Sequence, residues 1–347
     1  MTYNIDAMEA LYADSYEAPE RFIDKVAAEF TAMLNDWHSR PETWDNAIDK
    51  QIHEWYANAK PVYPKRPYFS PSAADACPRE LYEKGIGSKR DITGQQPHQG
   101  RWTRIGTSVG DIIQRDILFI EKHMEGARFR FERNDRGEPM FEDFAKRNVP
   151  IECGGVRYHL YGAPDGILIY TDENGEQHRI GLEIKSKQTT PARTSLHSFK
   201  APDEKHEAQT IAYSIMYNVD YYLIVYVNTA HKAWSMSDAD FEATPDIRVF
   251  GIDCTVPRKA KLIEDLAEVQ RMINERKPPM PDLSKWTFNG YKTAIAQTVT
   301  DEELTLLESQ VELAKKSRLP EFKKRAYAEA LDDLLKRRAK VLQNDAL

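Results

Sequence analysis

A predicted β-hairpin between residues 161 and 187 sets the first limit on the fold of this chain. Its turn contains Asn174-Gly175, and an Asn-Gly step favours the positive φ angles of a tight turn between two strands. Side chains alternate along the second strand, so Glu183 and Lys185 share one face and their apolar neighbours share the other. The hairpin therefore predicts a sheet with one face toward a core and one that carries a carboxylate and an amine.

Asp165 lies where the first strand enters this hairpin. Gly162 and Pro164 precede it and favour a bend over regular strand pairing. If the bend turns Asp165 toward the face of Glu183 and Lys185, the cluster can hold a hard divalent cation and stabilise charge on a phosphoryl group. Alone, each feature is more typical of a solvated charge pair or a turn-forming aspartate. The cluster is therefore a hypothesis that the rest of the chain must support.

The composition is that of a globular protein, since 30% of the 347 residues are charged and 41% are hydrophobic. No apolar run approaches the roughly 20 residues that cross a bilayer, and the amino terminus lacks a signal-peptide pattern. Three widely spaced cysteines form no CxxC pair, which disfavours a disulfide framework or a zinc knuckle. We therefore expect a cytoplasmic protein with no membrane partner.

The formal net charge of -7 argues against a protein that binds nucleic acid with its whole surface. It permits a local basic groove, because phosphate contacts depend on a patch of charge. Basic residues are concentrated in residues 79–104 and in residues 185–205. The second stretch begins within the hairpin, so positive charge surrounds the proposed cluster.

Three regions are predicted along the chain: an N-terminal helical region at 1–60, a central core at 61–290 and a C-terminal helical hairpin at 300–347. In the first region, Pro19 and Pro41 are predicted helix starts, because proline is favoured at the first position of a helix. Within the core, a helix over 205–217 leads into the apolar segment 221–228, which is typical of a buried strand. A hairpin followed by further strands and helices predicts an α/β fold. We expect a mixed central sheet flanked by helices, with helical extensions at both ends.

Residues 106–121 form a predicted helix with an apolar stripe. Asp116 falls within that stripe. A carboxylate on a core-facing stripe needs a partner or a metal to offset its desolvation. Two interpretations stay open: Asp116 is a helix-boundary residue bonded to a neighbouring arginine, or it binds a metal.

Five short motifs occur in a fixed order between about residues 68 and 280. They are Ser70-Pro71-Ser72 with Cys77-Pro78-Arg79 and Tyr82, then Gly106-Thr107 with Val109, Gly162 with Pro164-Asp165, Glu183-Ile184-Lys185, and Gln209 with Tyr213. Together these motifs resemble the PD-(D/E)xK nuclease superfamily, and most closely its RecB-like branch, which includes the nuclease of the CRISPR adaptation machinery and many phage exonucleases. The resemblance implies a restriction-endonuclease-like core.

The resemblance also implies roles for single residues. One or two Mg²⁺ or Mn²⁺ ions would bind two carboxylates and one backbone carbonyl, and the lysine would orient or activate the attacking water. Other matching or nearby residues would support the site or contact DNA. The implied roles are catalysis for Asp165, Glu183 and Lys185; metal binding for Asp165, Glu183 and the Ile184 carbonyl; and DNA binding or site support for Gln209, Tyr213, Ser70, Arg79 and Lys187.

Two departures from the family pattern bear on the cofactors. RecB-like members usually have a metal-binding histidine where this chain has Gly110, so water or a helix acid must replace it: Asp116, or less favourably Asp111 or Glu121. Several relatives hold an iron-sulfur cluster through four cysteines. Cys77 stands at the first of these positions, but no cysteine lies in the carboxyl-terminal segment. We therefore expect no iron-sulfur cluster.

The expected function is a metal-dependent deoxyribonuclease that acts from DNA ends in phage recombination or genome processing. Its partners would be DNA and a recombination or single-strand-binding protein, and its location the host cytoplasm if a phage encodes it. The sequence is compatible with either a monomer or an oligomer. One alternative is a structure-specific or sequence-specific endonuclease. Another, suggested by Gly110, is a catalytically silent DNA-binding or assembly module.

Overall fold

The structure, a computed structural model, describes residues 21–92, 94, 96–230 and 233–345. Its described strands form two sheets, one of five strands in the order β2-β5-β6-β7-β8 and one of three in the order β1-β4-β3. In the larger sheet β6 and β7 are parallel and the other pairs are antiparallel. The strands are β1 (Tyr68–Phe69), β2 (Phe129–Phe131), β3 (Arg147–Cys153), β4 (Val156–Gly162), β5 (Gly166–Thr171), β6 (Gln177–Lys187), β7 (Tyr221–Asn228) and β8 (Ile247–Asp253).

Helices surround both sheets. Short 3₁₀ turns at Pro71–Ala73, Pro191–Thr194 and Leu283–Lys285 join some of them. The α-helices of the described residues are α1 (Phe22–Ser39), α2 (Asn46–Ala57), α3 (Pro78–Ile86), α4 (Pro97–His123), α5 (Glu142–Ala145), α6 (Glu204–Tyr217), α7 (Asp238–Ala243), α8 (Val256–Glu275), α9 (Lys292–Thr298), α10 (Asp301–Lys316) and α11 (Glu321–Asp345). In these ranges no helix combines the length and apolar character needed to cross a membrane.

The mixed α/β fold expected from the sequence is confirmed, and the larger sheet is its centre. The packing of strand β7 explains why its sequence is apolar throughout. Leu223 and Val225 pack on one face with α1 and α4, while Ile224 and Tyr226 pack on the other with α6 and α8. Because both faces are covered, alternation leaves β7 no solvent-facing side.

The predicted hairpin is β5–β6, and its register pairs Gly166 with Leu182. Its first strand begins later than expected, because Tyr161 belongs to β4 in the smaller sheet. The chain changes sheets at the bend that contains Pro164. This second sheet was not anticipated from the sequence, since the strand pattern alone does not show which strands share a sheet.

Two predicted helix starts were wrong. Helix α2 begins at Asn46 and not at Pro41, because the Asp45 carboxylate caps it by accepting hydrogen bonds from the first-turn amides. Helix α4 begins nine residues before Gly106, where Pro97 occupies its first position. The predicted start at Pro19 lies outside the described residues.

The C-terminal helices α9, α10 and α11 form a small core of their own, in which Trp286, Leu307 and Leu334 are buried. The Arg79 side chain is fully buried between this unit and α3. Its guanidinium donates to the Glu303 carboxylate at 3.1 Å. Arg79 was expected to bind DNA or to support the site; its buried side chain joins two parts of the fold and does not reach the surface, so direct DNA contact is corrected.

Candidate active site

Glu183 and Lys185 lie on one face of β6, as strand alternation predicts. The Glu183 side chain is 1% exposed. Its Oε1 accepts hydrogen bonds from Lys185 Nζ and from Nε2 of Gln209 on α6, the latter at 2.8 Å. Lys185 Nζ also donates to Gln209 Oε1 at 3.2 Å. These three side chains form a closed set of hydrogen bonds, yet Oε2 of Glu183 is buried without a partner among the described residues.

Asp165 reaches the same end of β6. Strands β5 and β6 pair only as far as Gly166 and Leu182, so beyond this point one edge of β6 is free of β5. There the Ile184 amide donates to Oδ2 of Asp165 at 2.6 Å. The N–H and C=O of one strand residue point to the same edge, so the Ile184 carbonyl also faces Asp165. Two carboxylates and a carbonyl are thus brought together at the end of the hairpin.

Two side chains hold the bend in place. The hydroxyl of Tyr213, on α6, donates to the Ala163 carbonyl. From the other side, Nε2 of Gln114 on α4 donates to the main-chain carbonyl of Asp165 at 2.8 Å. Tyr213 therefore positions Asp165 through the backbone. Sequence reasoning missed Gln114, because this residue lies outside the apolar stripe of α4 and is buried by its contact with the Asp165 segment.

Burial raises the pKa of Asp165 and raises that of Glu183 to about 8. The charge of Asp165 raises the pKa of Glu183 further, and Lys185 opposes the shift at both carboxyls. One lysine does not compensate two buried carboxylates. The donor set suits a hard divalent cation, which prefers carboxylate and carbonyl oxygens, and the unpartnered Oε2 of Glu183 is a candidate ligand.

A further acid, Glu142, was not predicted. Its amide donates to the Pro164 carbonyl at 2.9 Å, and its Oε2 accepts from the Tyr56 hydroxyl at 2.9 Å. Burial raises the pKa of Glu142, and the charges of Asp111 and Asp165 add to the shift. Its φ of 45° is uncommon outside glycine, and such residues concentrate at functional sites. No motif marks Glu142, because its position depends on contacts between distant segments.

Asp116 is placed elsewhere. Its Oδ1 accepts from Trp37 Nε1 at 3.3 Å, and its Oδ2 lies 3.0 Å from Nε2 of His38. Gln114 marks the side of α4 that faces Asp165, and two residues turn a helix by about 200°. Asp116 therefore packs α4 against α1 and is corrected as a metal ligand. Asp111, three residues before Gln114, lies on the site side.

Gly110 also lies on the site side of α4, one turn before Gln114. A Cβ at this position would meet no heavy atom of the described residues within 4 Å. One turn earlier, a Cβ at Gly106 would lie 3.2 Å from the Ser186 hydroxyl. The helix thus approaches β6 closely at Gly106 and leaves open space at Gly110.

The other expected site residues have local partners. Lys187 pairs with Asp203 at 2.8 Å and is mostly buried, so it supports the fold at the end of β6. Ser70 precedes the first 3₁₀ turn as its N-cap residue. Glu121 pairs with Arg133 at 2.8 Å. None of these three contacts the described atoms of Asp165 or Glu183 through a hydrogen bond.

A second acidic group lies at the tip of the hairpin, at the opposite end of β6 from Glu183. It consists of Asp172, Glu176 and His178, whose ligand atoms lie within 4.8 Å of one another. The Asp172 carboxylate accepts from the amides of Asn174 and Glu176 at 2.9 and 2.8 Å. These contacts build the turn.

No protein-family model and no curated protein matches this chain. Several solved structures resemble it at low identity. The crystal structure of SSO0001 shares 16% identity over 73% of this chain and 95% of that one, with a TM-score of 0.37. An alkaline exonuclease from Laribacter hongkongensis shares 13% over 65% and 96%, with a TM-score of 0.33. A phage-related exonuclease from Haemophilus somnus 129PT shares 13% over 59% and 81%, with a TM-score of 0.31.

Proposed function

We propose that this chain is a divalent-metal-dependent deoxyribonuclease that hydrolyses phosphodiester bonds. The observation that carries the proposal is the pair of buried carboxylates, Asp165 and Glu183, beside the amine of Lys185. Burying two carboxylates with one unpartnered oxygen lowers the stability of the fold. Groups whose pKa is perturbed in this way concentrate at functional sites, and a cation would offset their repulsion.

In this proposal Asp165, Glu183 and the Ile184 carbonyl would hold Mg²⁺ or Mn²⁺, with Glu142 or Asp111 as a further acid of the site. The ion would supply Lewis acidity toward the phosphodiester and would lower the pKa of a bound water. Lys185 orients the attacking water and neutralises charge that develops on the phosphoryl oxygens.

Gln209 has a positioning role. Its amide group bonds both Glu183 and Lys185, which keeps the carboxylate and the ammonium in register on β6. The end-dependent mode of cleavage, and a role in phage recombination or genome processing, come from the motif resemblance to RecB-like exonucleases.

Purified protein with Mg²⁺ and end-labelled linear duplex tests the proposal. We expect degradation of the linear DNA, no cleavage of a covalently closed circle, and no turnover in EDTA. Asp165→Asn and Lys185→Met should each lower the rate by about 10²–10³-fold or more. The matched control is Asp172→Asn at the hairpin tip, which should keep the parent rate.

Two outcomes would contradict parts of the proposal. If Asp165→Asn and Lys185→Met both degrade DNA as fast as the parent, the site assignment is wrong. If the closed circle is nicked or cut, the protein is an endonuclease and the end-dependent mode is wrong.

A further inference from the structure

An exposed aromatic side chain from the C-terminal unit lies at the edge of the candidate active site. Phe288 is 90% exposed, and the centroid of its ring lies 5.6 Å from Nζ of Lys205. Lys205 precedes Gln209 by four residues on α6, so the two side chains share one face of this helix. Since Gln209 bonds Glu183, Phe288 stands on the side of α6 that leads to the site.

The loop that carries Phe288 is firmly held. Trp286 is buried, and its Nε1 donates to the Asp333 carboxylate at 2.8 Å. The Gly290 amide donates to Oε1 of Glu80 at 2.9 Å, and the Gly290 carbonyl accepts from the Asp91 amide at 2.8 Å. An exposed phenylalanine contributes little to packing, yet this loop presents one on a fixed backbone. The loop therefore holds the ring in a fixed, solvent-exposed position.

Further aromatic and basic side chains continue from this loop. Gly290 lies against Arg90, whose Nε would be 3.0 Å from a Cβ at that position. Tyr291 follows: burial raises its pKa, the Arg90 charge lowers it, and smaller effects from Glu80 and Tyr68 raise it. Nζ of Lys84 lies 5.4 Å from the centroid of the Tyr68 ring. We call this set the rim track: Lys205, Phe288, Arg90, Tyr291, Tyr68 and Lys84.

We propose that the rim track binds single-stranded DNA that enters or leaves the active site. Bases stack on aromatic faces regardless of sequence, and interleaved cations follow the phosphates. Duplex DNA keeps its bases paired and covered, so stacking of this kind selects unpaired strands. In a chain with a net charge of -7, three cations and three aromatics along this edge form a local concentration of positive charge, and the Glu80 carboxylate among them is bonded to the Gly290 amide. This inference rests on the proposed function for its substrate class.

Fluorescence anisotropy with labelled oligo(dT) longer than about 16 nucleotides tests the rim track, in EDTA so that no cleavage occurs. Loss of one stacked base should make Phe288→Ala bind about 5- to 100-fold more weakly, and Phe288→Trp should bind as tightly as the parent. The matched control is Phe322→Ala, because Phe322 is 63% exposed on α11 and lies outside the track. Lys205→Gln should lower the salt dependence of binding by about 0.7 in the log–log slope.

The result that would overturn the inference is equal oligo(dT) affinity for the parent, Phe288→Ala and Phe322→Ala, or no binding by the parent. The outcome is separable from that of the proposed function. Loss of affinity in Phe288→Ala with no cleavage by the parent in Mg²⁺ would support the rim track and contradict the nuclease. Cleavage by the parent in Mg²⁺, together with unchanged oligo(dT) affinity in Phe288→Ala, would support the nuclease and contradict the rim track.

Discussion

Two buried glutamates in this protein have opposite surroundings. Glu83 accepts hydrogen bonds on both carboxylate oxygens, from Arg79 and Thr298 at 3.1 and 3.0 Å and from Ser88 at 2.6 Å. The Arg79 guanidinium has further acceptors in the Pro279 carbonyl and a second carboxylate. Every charge in this network has a partner, which is what a buried ion pair needs if it is to hold a fold together.

Glu183 is equally buried but incompletely paired. Its Oε2 has no partner among the described residues, and burial raises its pKa to about 8. Burial of charge alone therefore does not distinguish a functional residue from a structural one. The unsatisfied oxygen distinguishes them, because a fold that leaves a carboxylate in this state gains stability when a cation binds.

The sharpest test of this contrast is one substitution at both glutamates. Glu183→Gln removes the buried carboxyl and with it the proposed metal ligand, so we expect DNA hydrolysis in Mg²⁺ to fall about 10³-fold or more with no loss of stability in EDTA. Glu83→Gln is the matched control and should lower stability while the folded protein keeps the parent rate. Rates on labelled linear DNA and urea unfolding measure both. The contrast fails if the two variants change activity and stability in the same way.

The second test removes the positive partner of the structural network. Arg79→Ala leaves the buried Glu83 and the partly buried Glu303 without their cation, which should cost about 3–5 kcal/mol in the free energy of unfolding. The matched control is Arg157→Ala, which removes an exposed arginine and should change the free energy of unfolding by less than about 0.5 kcal/mol. Urea unfolding in EDTA measures both. Unchanged stability in Arg79→Ala together with lost DNA binding would return Arg79 to a substrate-binding role.

Local patterns in the sequence predict much of this site. Strand alternation places Glu183 and Lys185 on one face, and the helical spacing of Gln209 and Tyr213 places both on one face of α6. These relations involve neighbours in one element, so periodicity determines them. The mixed sheet follows from the order of strands and helices for a similar reason.

Periodic patterns within one helix or strand could not predict the contacts between distant segments. The apolar stripe of α4 correctly indicated that Asp116 is buried, but the stripe does not identify the helix that packs on it, which is α1 with His38. Glu142 reaches Asp165 through a hydrogen bond from its amide to the Pro164 carbonyl and an uncommon φ. Neither feature has a periodic signature, so Glu142 was missed.

The third test uses pH. The pKa of Glu183 is about 8 in the folded protein against a usual value of 4.5, so between these values the folded state holds a proton that the unfolded chain has released. Metal-free stability should therefore fall as pH rises through this window, by about 2–3 kcal/mol between pH 6 and pH 8. Urea unfolding in EDTA at both values measures the change.

Glu183→Gln is the control for this test, because the variant has no proton to lose at that position and should show a much smaller change. Added Mg²⁺ should restore stability most at the alkaline end, where Glu183 is ionised. A pH dependence of equal size in the parent and in Glu183→Gln would assign the titration to another group and would weaken the contrast with Glu83.

The smallest expected effect comes from the open space at Gly110. Gly110→His should fit, because a Cβ there meets no described atom within 4 Å, and replacing a mid-helix glycine should stabilise the protein by about 0.5 kcal/mol. The imidazole would point toward Asp165 and should tighten Mn²⁺ binding severalfold, as measured by calorimetry. Gly106→His is the matched control and should destabilise the protein, since its side chain would meet Ser186. If Gly110→His leaves Mn²⁺ affinity unchanged, the ion does not lie between α4 and Asp165, and Glu142 becomes the better candidate for the remaining ligand.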